Sequence, residues 1–227
     1  GRVWGLSVFL AIDTATSSVG ISLDDGTEVL SERIFRTRRH HTSELAPQVA
    51  QTLRNTATSP NDLTGIAVAK GPGSYTGLRI GMALAKGMAL AHDLPLVGIP
   101  TLDIVAAAQP QREGELLAVL RAGRGRVAAV WYKWGPQGWQ AQAEPEALTW
   151  EEALDRVRVP TYACGEISGG AEQLRKHPQV VSANPAACVR RPSVMAVLAR
   201  QAIEEGIETD PRALTPVYLG DLESSKS

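Results

Sequence analysis

The string KGPGSYTGLRIGMALAKGMALAHDL, positions 70–94, constrains this chain more than any other, because tight-turn chemistry runs directly into the most apolar helical stretch of the sequence. Gly71 and Gly73 flank Pro72 just after the strand-like run Gly65-Ile66-Ala67-Val68-Ala69. Glycine alone reaches positive φ, or admits another backbone at close range, without steric cost. A strand has to end there. Ser74 or Thr76 then caps a helix reaching to about His92, with backbone N–H groups and the positive end of the helix dipole facing outward. Such a corner suits an anion and marks Gly71, Gly73 and Ser74 as candidate phosphate-binding residues. The string lacks the Lys-Ser/Thr ending of a P-loop, and the same geometry also serves as plain punctuation between strand and helix.

Among residues 77–91 only Arg79 and Lys86 are charged, while Gly77, Gly81 and Ala85 recur at every fourth position. A helix apolar nearly all round is buried, either in its own domain or under a partner. Small residues at this spacing let a second helix come close. The pattern therefore predicts that the row Gly77, Gly81, Ala85 meets another chain while Leu78, Met82 and Leu84 enter the home core. Two charges and three glycines interrupt the stretch, which is shorter than the roughly 20 apolar residues a membrane span requires.

At 227 residues, 44% hydrophobic and 21% charged, the chain has the composition of a soluble globular protein of one large or two modest domains. A net charge of -1 argues against wholesale wrapping of nucleic acid. Two local basic patches stand out: Arg33, Arg36, Arg38 and Arg39 with His40 and His41, and Arg121, Arg124 and Arg126. Each reads first as a solvated face. Cys164 and Cys188 are the only cysteines and form no CxxC spacing, so neither a disulfide framework nor a cysteine zinc site is indicated. The apolar run at residues 8–12 is only strand length and ends in Asp13, which predicts a cytoplasmic protein without a signal segment.

Read in order, residues 6–13 form a buried strand that breaks into Thr14-Ala15-Thr16-Ser17-Ser18, and a second strand, residues 19–23, leads to the turn Asp24-Asp25-Gly26. A third strand spans residues 27–37. Thr42 or Ser43 caps a helix that carries Leu45, Val49 and Leu53 on one face. The strand into Ala69, the central helix, a strand at residues 96–99 and a helix at residues 102–108 complete a βββαβαβα order. The second half opens with a hairpin, strands 116–120 and 127–134 joined through Gly123-Arg124-Gly125. Helix 150–157, strand 161–163, helix 170–177, strand 180–182 and helix 193–205 follow, with an apolar tail at residues 215–219. The expected division is residues 1–108 and 109–227, the final segment docking back on the first domain.

The Asp-Thr-Ala-Thr hairpin tip, the GPGSYTGLRIG turn and helix, and two similar α/β halves resemble the actin, sugar-kinase and Hsp70 superfamily: two mixed sheets, each begun by antiparallel strands and flanked by helices. The strings AIDTAT, HTSELAP, GPGSYTGLRIGMALAKGMAL, LPLVGIPTLD and TPVYL further resemble the bacterial TsaB (YeaZ) family. That resemblance implies a non-catalytic partner of TsaD in making threonylcarbamoyladenosine beside the tRNA anticodon, with a TsaE-type ATPase joining the assembly. It implies a homodimer when isolated, contact with tRNA only through the complex, and no membrane. By position it assigns Leu45, Val49, Leu78, Gly81, Met82, Ala85 and Met88 to the paired surface, although the same residues suit a core equally well. One departure stands out, because Arg121-Ala122-Gly123-Arg124 occupies the place where many relatives show Asp-Ala-Arg.

The catalytic relatives' metal needs two histidines four apart on one helix. His40 and His41 are adjacent, neither His92 nor His177 has such a partner, and no GxSxG string occurs, so no catalytic residue and no metal site is expected. The alternative class is a nucleotide-binding ATPase or phosphotransferase of the superfamily, with Asp13, Thr14 and Thr16 beside a hydrated magnesium ion and phosphate oxygens. Asp13 and the hydroxyls also serve as turn-forming groups. No cofactor is required on the first reading; the second implies weak ATP or ADP with magnesium at a domain or subunit interface.

Overall fold

The computed structural model describes residues 8–37 and 41–220, with backbone alone for residues 41–43. The Arg38, Arg39 and His40 part of the basic patch, the His41 side chain and the start of the first strand lie outside the described residues. The chain forms two units, residues 1–100 with 191–217, and residues 101–190 with 218–227.

The first unit is built on strands β1 (Val8–Asp13), β2 (Ser18–Asp24), β3 (Val29–Arg36), β4 (Leu63–Gly71) and β5 (Leu96–Pro100), in the spatial order β3-β2-β1-β4-β5. The first three are antiparallel neighbours, whereas β1–β4 and β4–β5 run parallel. Parallel pairing needs a crossover, and helix α2 (Tyr75–Ala91) supplies it between β4 and β5. Helix α1 (His41–Asn55) precedes β4. It begins before Thr42 and Ser43, so neither occupies the expected capping position.

Alternation along the strands sorts the sheet into two faces. Leu10, Ile12, Val19 and Ile21 share a core with Leu45, Val49 and Leu53 of α1 and with Met82, Ala85 and Ala89 of α2. The opposite face meets a sixth helix of the chain, α6 (Pro192–Glu204), expected from chain order in the second half. Pro192 packs 3.2 Å from where a Cβ on Gly20 would stand, and the Arg200 guanidinium lies 4.7 Å from the Phe9 ring centroid. No side chain of its own caps α6. Glu32 of β3 takes that role: its Oε1 accepts the Ser193 N–H at 3.0 Å and the Ser193 hydroxyl at 2.5 Å, and its Oε2 accepts Arg191 Nη2 at 2.6 Å. A carboxylate at a helix N-terminus satisfies an orphan donor and complements the dipole. This contact ties residues from 191 onward to the first unit, and the chain divides at residues 100/101 and 190/191 rather than at 108/109.

The second unit has strands β6 (Glu115–Gly123), β7 (Arg126–Gly135), β8 (Gly138–Ala141), β9 (Glu146–Thr149), β10 (Thr161–Gly165) and β11 (Val180–Ser182). The order is β11-β10-β6-β7-β8, with β9 also paired to β7. Helix α3 (Thr101–Ala107) opens this unit rather than closing the first, and its Leu102, Val105 and Ala106 pack with Leu116, Ala118 and Leu120. Helices α4 (Trp150–Leu154) and α5 (Ala171–Lys176) cover the other face through Trp150, Ala153 and Leu174 against Leu117 and Val119. The short strands β8 and β9 escape the sequence reading, as four-residue elements give little periodicity to detect.

Candidate functional site

The hairpin tip after β1 and the glycine turn before α2, distant in sequence, are brought into contact. Ser74 is the cap of α2, accepting the Gly77 N–H at 3.4 Å, while its own N–H donates to the Ala15 carbonyl at 2.7 Å. Thr14 is fully buried, and its hydroxyl donates to the Gly77 carbonyl at 2.7 Å. Asp13 accepts the Ala15 N–H at 2.9 Å, and Thr16 accepts the Ser18 N–H at 3.2 Å, so both close the turn locally.

The two glycines of the turn have different reasons to be glycine. Gly71 has φ +109°, and a Cβ on it would stand 2.0 Å from the Val217 carbonyl oxygen. Val217 in turn donates its N–H to the Lys70 carbonyl at 2.7 Å, which seats the tail beside the end of β4. Gly73 does not need positive φ; it admits the hairpin tip, since a Cβ there would lie 2.5 Å from the Ala15 carbonyl oxygen. Thr14, Gly73 and Ser74 are thus brought together where the tip meets the turn, while Asp13 and Thr16 bond within the tip and Gly71 lies against Val217. Among the described residues no group of three histidine, cysteine, aspartate or glutamate side chains is arranged to hold a metal ion.

The helix surfaces overturn one half of the sequence expectation, since Leu78, Met82 and Leu84 do pack toward the home core but the small-residue row joins them there. Gly77, Gly81 and Ala85 face inward: a Cβ on Gly77 would stand 2.1 Å from the Thr14 carbonyl oxygen, and one on Gly81 would stand 2.1 Å from Thr14 Oγ1. Leu45, Val49, Leu78, Met82 and Ala85 are likewise buried in the home core and have no surface to give a partner, while Met88 is half-buried at its edge. The signal that separates the two small-residue rows of α2 is Arg79, a charge in line with Ala83 and Gly87, whereas the Gly77, Gly81 and Ala85 row carries none.

The outward face of α2 carries Tyr75, Arg79, Ala83, Gly87 and Leu90. Tyr75 and Leu90 are 56% and 49% exposed, and a Cβ on Gly87 would meet nothing within 4 Å. Arg79 holds Tyr75 in place, with Nη1 2.5 Å from the phenol oxygen and the guanidinium 5.1 Å from the ring centroid. Beside it, α1 exposes Glu44, Ala46, Pro47 and Arg54. In the second unit, Arg121 is exposed, and its main-chain N–H donates to Glu166 Oε2 at 2.9 Å.

The remaining titratable features are structural. Burial pushes the Asp24 carboxyl up, although Arg200 beside it pulls the other way in a buried ion pair. Burial also raises both thiols, Cys164 and Cys188, which removes the thiolate character a nucleophile would need. No helix among the described residues is long and apolar enough to cross a membrane.

With this geometry in hand, comparison with known proteins adds the following. The profile of a family described as TsaD, tRNA N6-adenosine threonylcarbamoyltransferase, matches residues 28–216. The chain is 33% identical over 169 residues to the tRNA threonylcarbamoyladenosine biosynthesis protein TsaB of Bacillus subtilis, covering 73% of each. It is 30% identical over 217 residues to the protein of the same name from Escherichia coli, covering 92% of this chain and 93% of that one. In structure it is similar to YeaZ from Pseudomonas aeruginosa, with a TM-score of 0.78 at 23% identity over 93% of this chain and 99% of the other.

Proposed function

The chain belongs to the TsaB family of tRNA threonylcarbamoyladenosine biosynthesis proteins, and on that premise we propose that it is the non-catalytic subunit of the modifying assembly. It binds a TsaD-type transferase, with a TsaE-type ATPase joining, and meets tRNA within that complex. In isolation it pairs with a second copy of itself through the same face.

The observation that carries this reading is the outward face of α2. Tyr75 and Arg79 are residue types that dominate binding energy at interfaces, and Ala83 and Gly87 beside Leu90 leave room for a partner helix at the short end of the usual axis separation of about 8 to 10 Å. The paired residues are therefore Tyr75, Arg79, Ala83, Gly87 and Leu90, with the exposed side of α1, in place of the buried set. Independent phosphoryl transfer has no such support, because Thr14 and Asp13 are buried and bonded into the turn. The reading accordingly requires no cofactor.

Gly87→Leu places side-chain volume where the partner backbone sits, and overpacking of this kind costs about 1 to 3 kcal/mol. Sedimentation velocity on the variant, alone and mixed with a TsaD-type subunit, should show weakened association of a folded chain. Undiminished self-association and heterodimer would refute the assignment of this face.

A further inference from the structure

The closed end of the β6–β7 hairpin carries Arg121, Arg124 and Arg126 within six residues, all three exposed. Together they rim one open cavity of about 440 Å³. A two-residue turn sets the arrangement: Arg124 and Gly125 have φ +49° and +74°, the paired positive values of the tight hairpin turn that matches strand twist. Arg124 therefore sits at the tip, with Arg121 and Arg126 on the two strands behind it. Added Cβ atoms on Gly123 and Gly125 would meet nothing within 4 Å, so the wall between the arginines is bare backbone. Gly169 lines the cavity as well.

The floor says which part of a ligand this place can hold. Trp150 lines it but is only 7% exposed, and its ring is covered by Gly170, where a Cβ would fall 2.2 Å from Trp150 Cδ2. No ring face is left on which a base could stack. At the base of the hairpin, Glu166 accepts the Arg121 main-chain N–H and lies 3.9 Å from buried Arg190. The recognising groups are thus guanidinium forks, which match phosphate oxygens in planar, two-point fashion. Three of them along an exposed hairpin end, without a slot for a base or sugar, suit the repeated phosphates of a polynucleotide better than one mononucleotide.

We propose that this hairpin end is a contact site for the phosphate backbone of RNA. That the RNA is the tRNA being modified rests on the proposed function; the phosphate contact does not. Contact of this kind carries no sequence reading, and its strength falls steeply with salt through counterion release.

Fluorescence anisotropy of a labelled, unmodified tRNA transcript tests it, titrating the purified chain from 50 to 200 mM salt. The wild type should bind with a linear dependence of log K on log salt. Replacing Arg121, Arg124 and Arg126 by Gln should lower the slope by about 2 to 3, at roughly 0.7 to 0.9 per phosphate contact, and weaken binding more than tenfold at the low-salt end. An unrelated RNA of equal length should lose as much, and the Arg33→Gln, Arg36→Gln double variant should lose little. Circular dichroism on the triple variant should stay native, since all three side chains are exposed. No salt-dependent binding by the wild type, an unchanged slope in the folded triple variant, or displacement of the tRNA by micromolar ATP would each overturn the proposal. Failure of the family role would read out differently, as RNA binding that persists in a chain unable to support threonylcarbamoyl transfer.

Discussion

The same substitution at two glycines of one helix should change stability in opposite directions. Gly81 and Gly87 both lie within α2, and alanine at either gains the helix-propensity difference of about 0.8 to 1 kcal/mol. At Gly87 nothing stands within 4 Å of the added methyl, so Gly87→Ala should stabilise by about that amount. At Gly81 the methyl would lie 2.1 Å from Thr14 Oγ1, with Thr14 Cβ and Cγ2 at 3.3 and 3.4 Å from the same point, so the Thr14 side chain or the helix has to shift. Overpacking of that kind costs about 1 to 3 kcal/mol. Displacing the Thr14 hydroxyl also breaks its bond to the Gly77 carbonyl and leaves that buried hydroxyl without its acceptor, adding about 1 to 3 kcal/mol. Less the propensity gain, Gly81→Ala should destabilise by roughly 1 to 5 kcal/mol. For a chain of this size each kcal/mol moves Tm by about 2 to 4 °C. Thermal and urea unfolding at concentrations where the protein is monomeric read both variants directly. Equal shifts of the same sign would show that α2 does not press its Gly77–Gly81 side on the hairpin tip.

Two further outcomes follow from the same contacts. Gly73→Ala should destabilise by about 1 to 3 kcal/mol through the clash with the Ala15 carbonyl, whereas an unchanged urea midpoint would mean that the tip and turn do not touch. Burial pushes the Glu32 carboxyl up, but hydrogen bonds from Ser193 and Arg191 outweigh it and hold the group below its ordinary value of 4.5. A depressed folded pKa gives stability that is present above pH 4.5 and lost as pH falls through the folded value. Glu32→Gln should therefore lower the Tm at pH 7 and flatten its fall below about pH 4.5; an acid limb as steep as the wild type's would contradict the assignment.

The parts of the fold legible in sequence are those set by neighbours along the chain. The Ser74 cap, the end of β4 at Gly71 and the βββαβαβ order of the first sheet all follow from local turn and periodicity signals. What was not legible depends on partners far away in sequence. Thr14 meets Gly77 across 63 residues, a contact that no local signal gives, although Arg79 in line with Gly87 marks the side of the helix that stays out of the core. Helix α6 carries an ordinary apolar stripe, and the contacts that reveal which sheet it covers, with Gly20, Phe9 and Glu32, all reach back across the chain. Of the candidate phosphate residues, Thr14 and Ser74 join the hairpin tip to α2 through bonds that no local pattern foretells. For the same reason the surface available to a partner is the complement of the one the spacing suggested.

The central claim is that this protein supports threonylcarbamoyl transfer without performing it, and reconstituted transfer to an unmodified tRNA transcript tests that most directly. Labelled threonine incorporation would be measured with the threonylcarbamoyl donor supplied and with this chain alone, the TsaD-type and TsaE-type subunits without it, and all three together. The account predicts modification only when all three are present, with none from this chain alone. Transfer by this chain without a TsaD-type subunit, or full transfer by the other two in its absence, would contradict it.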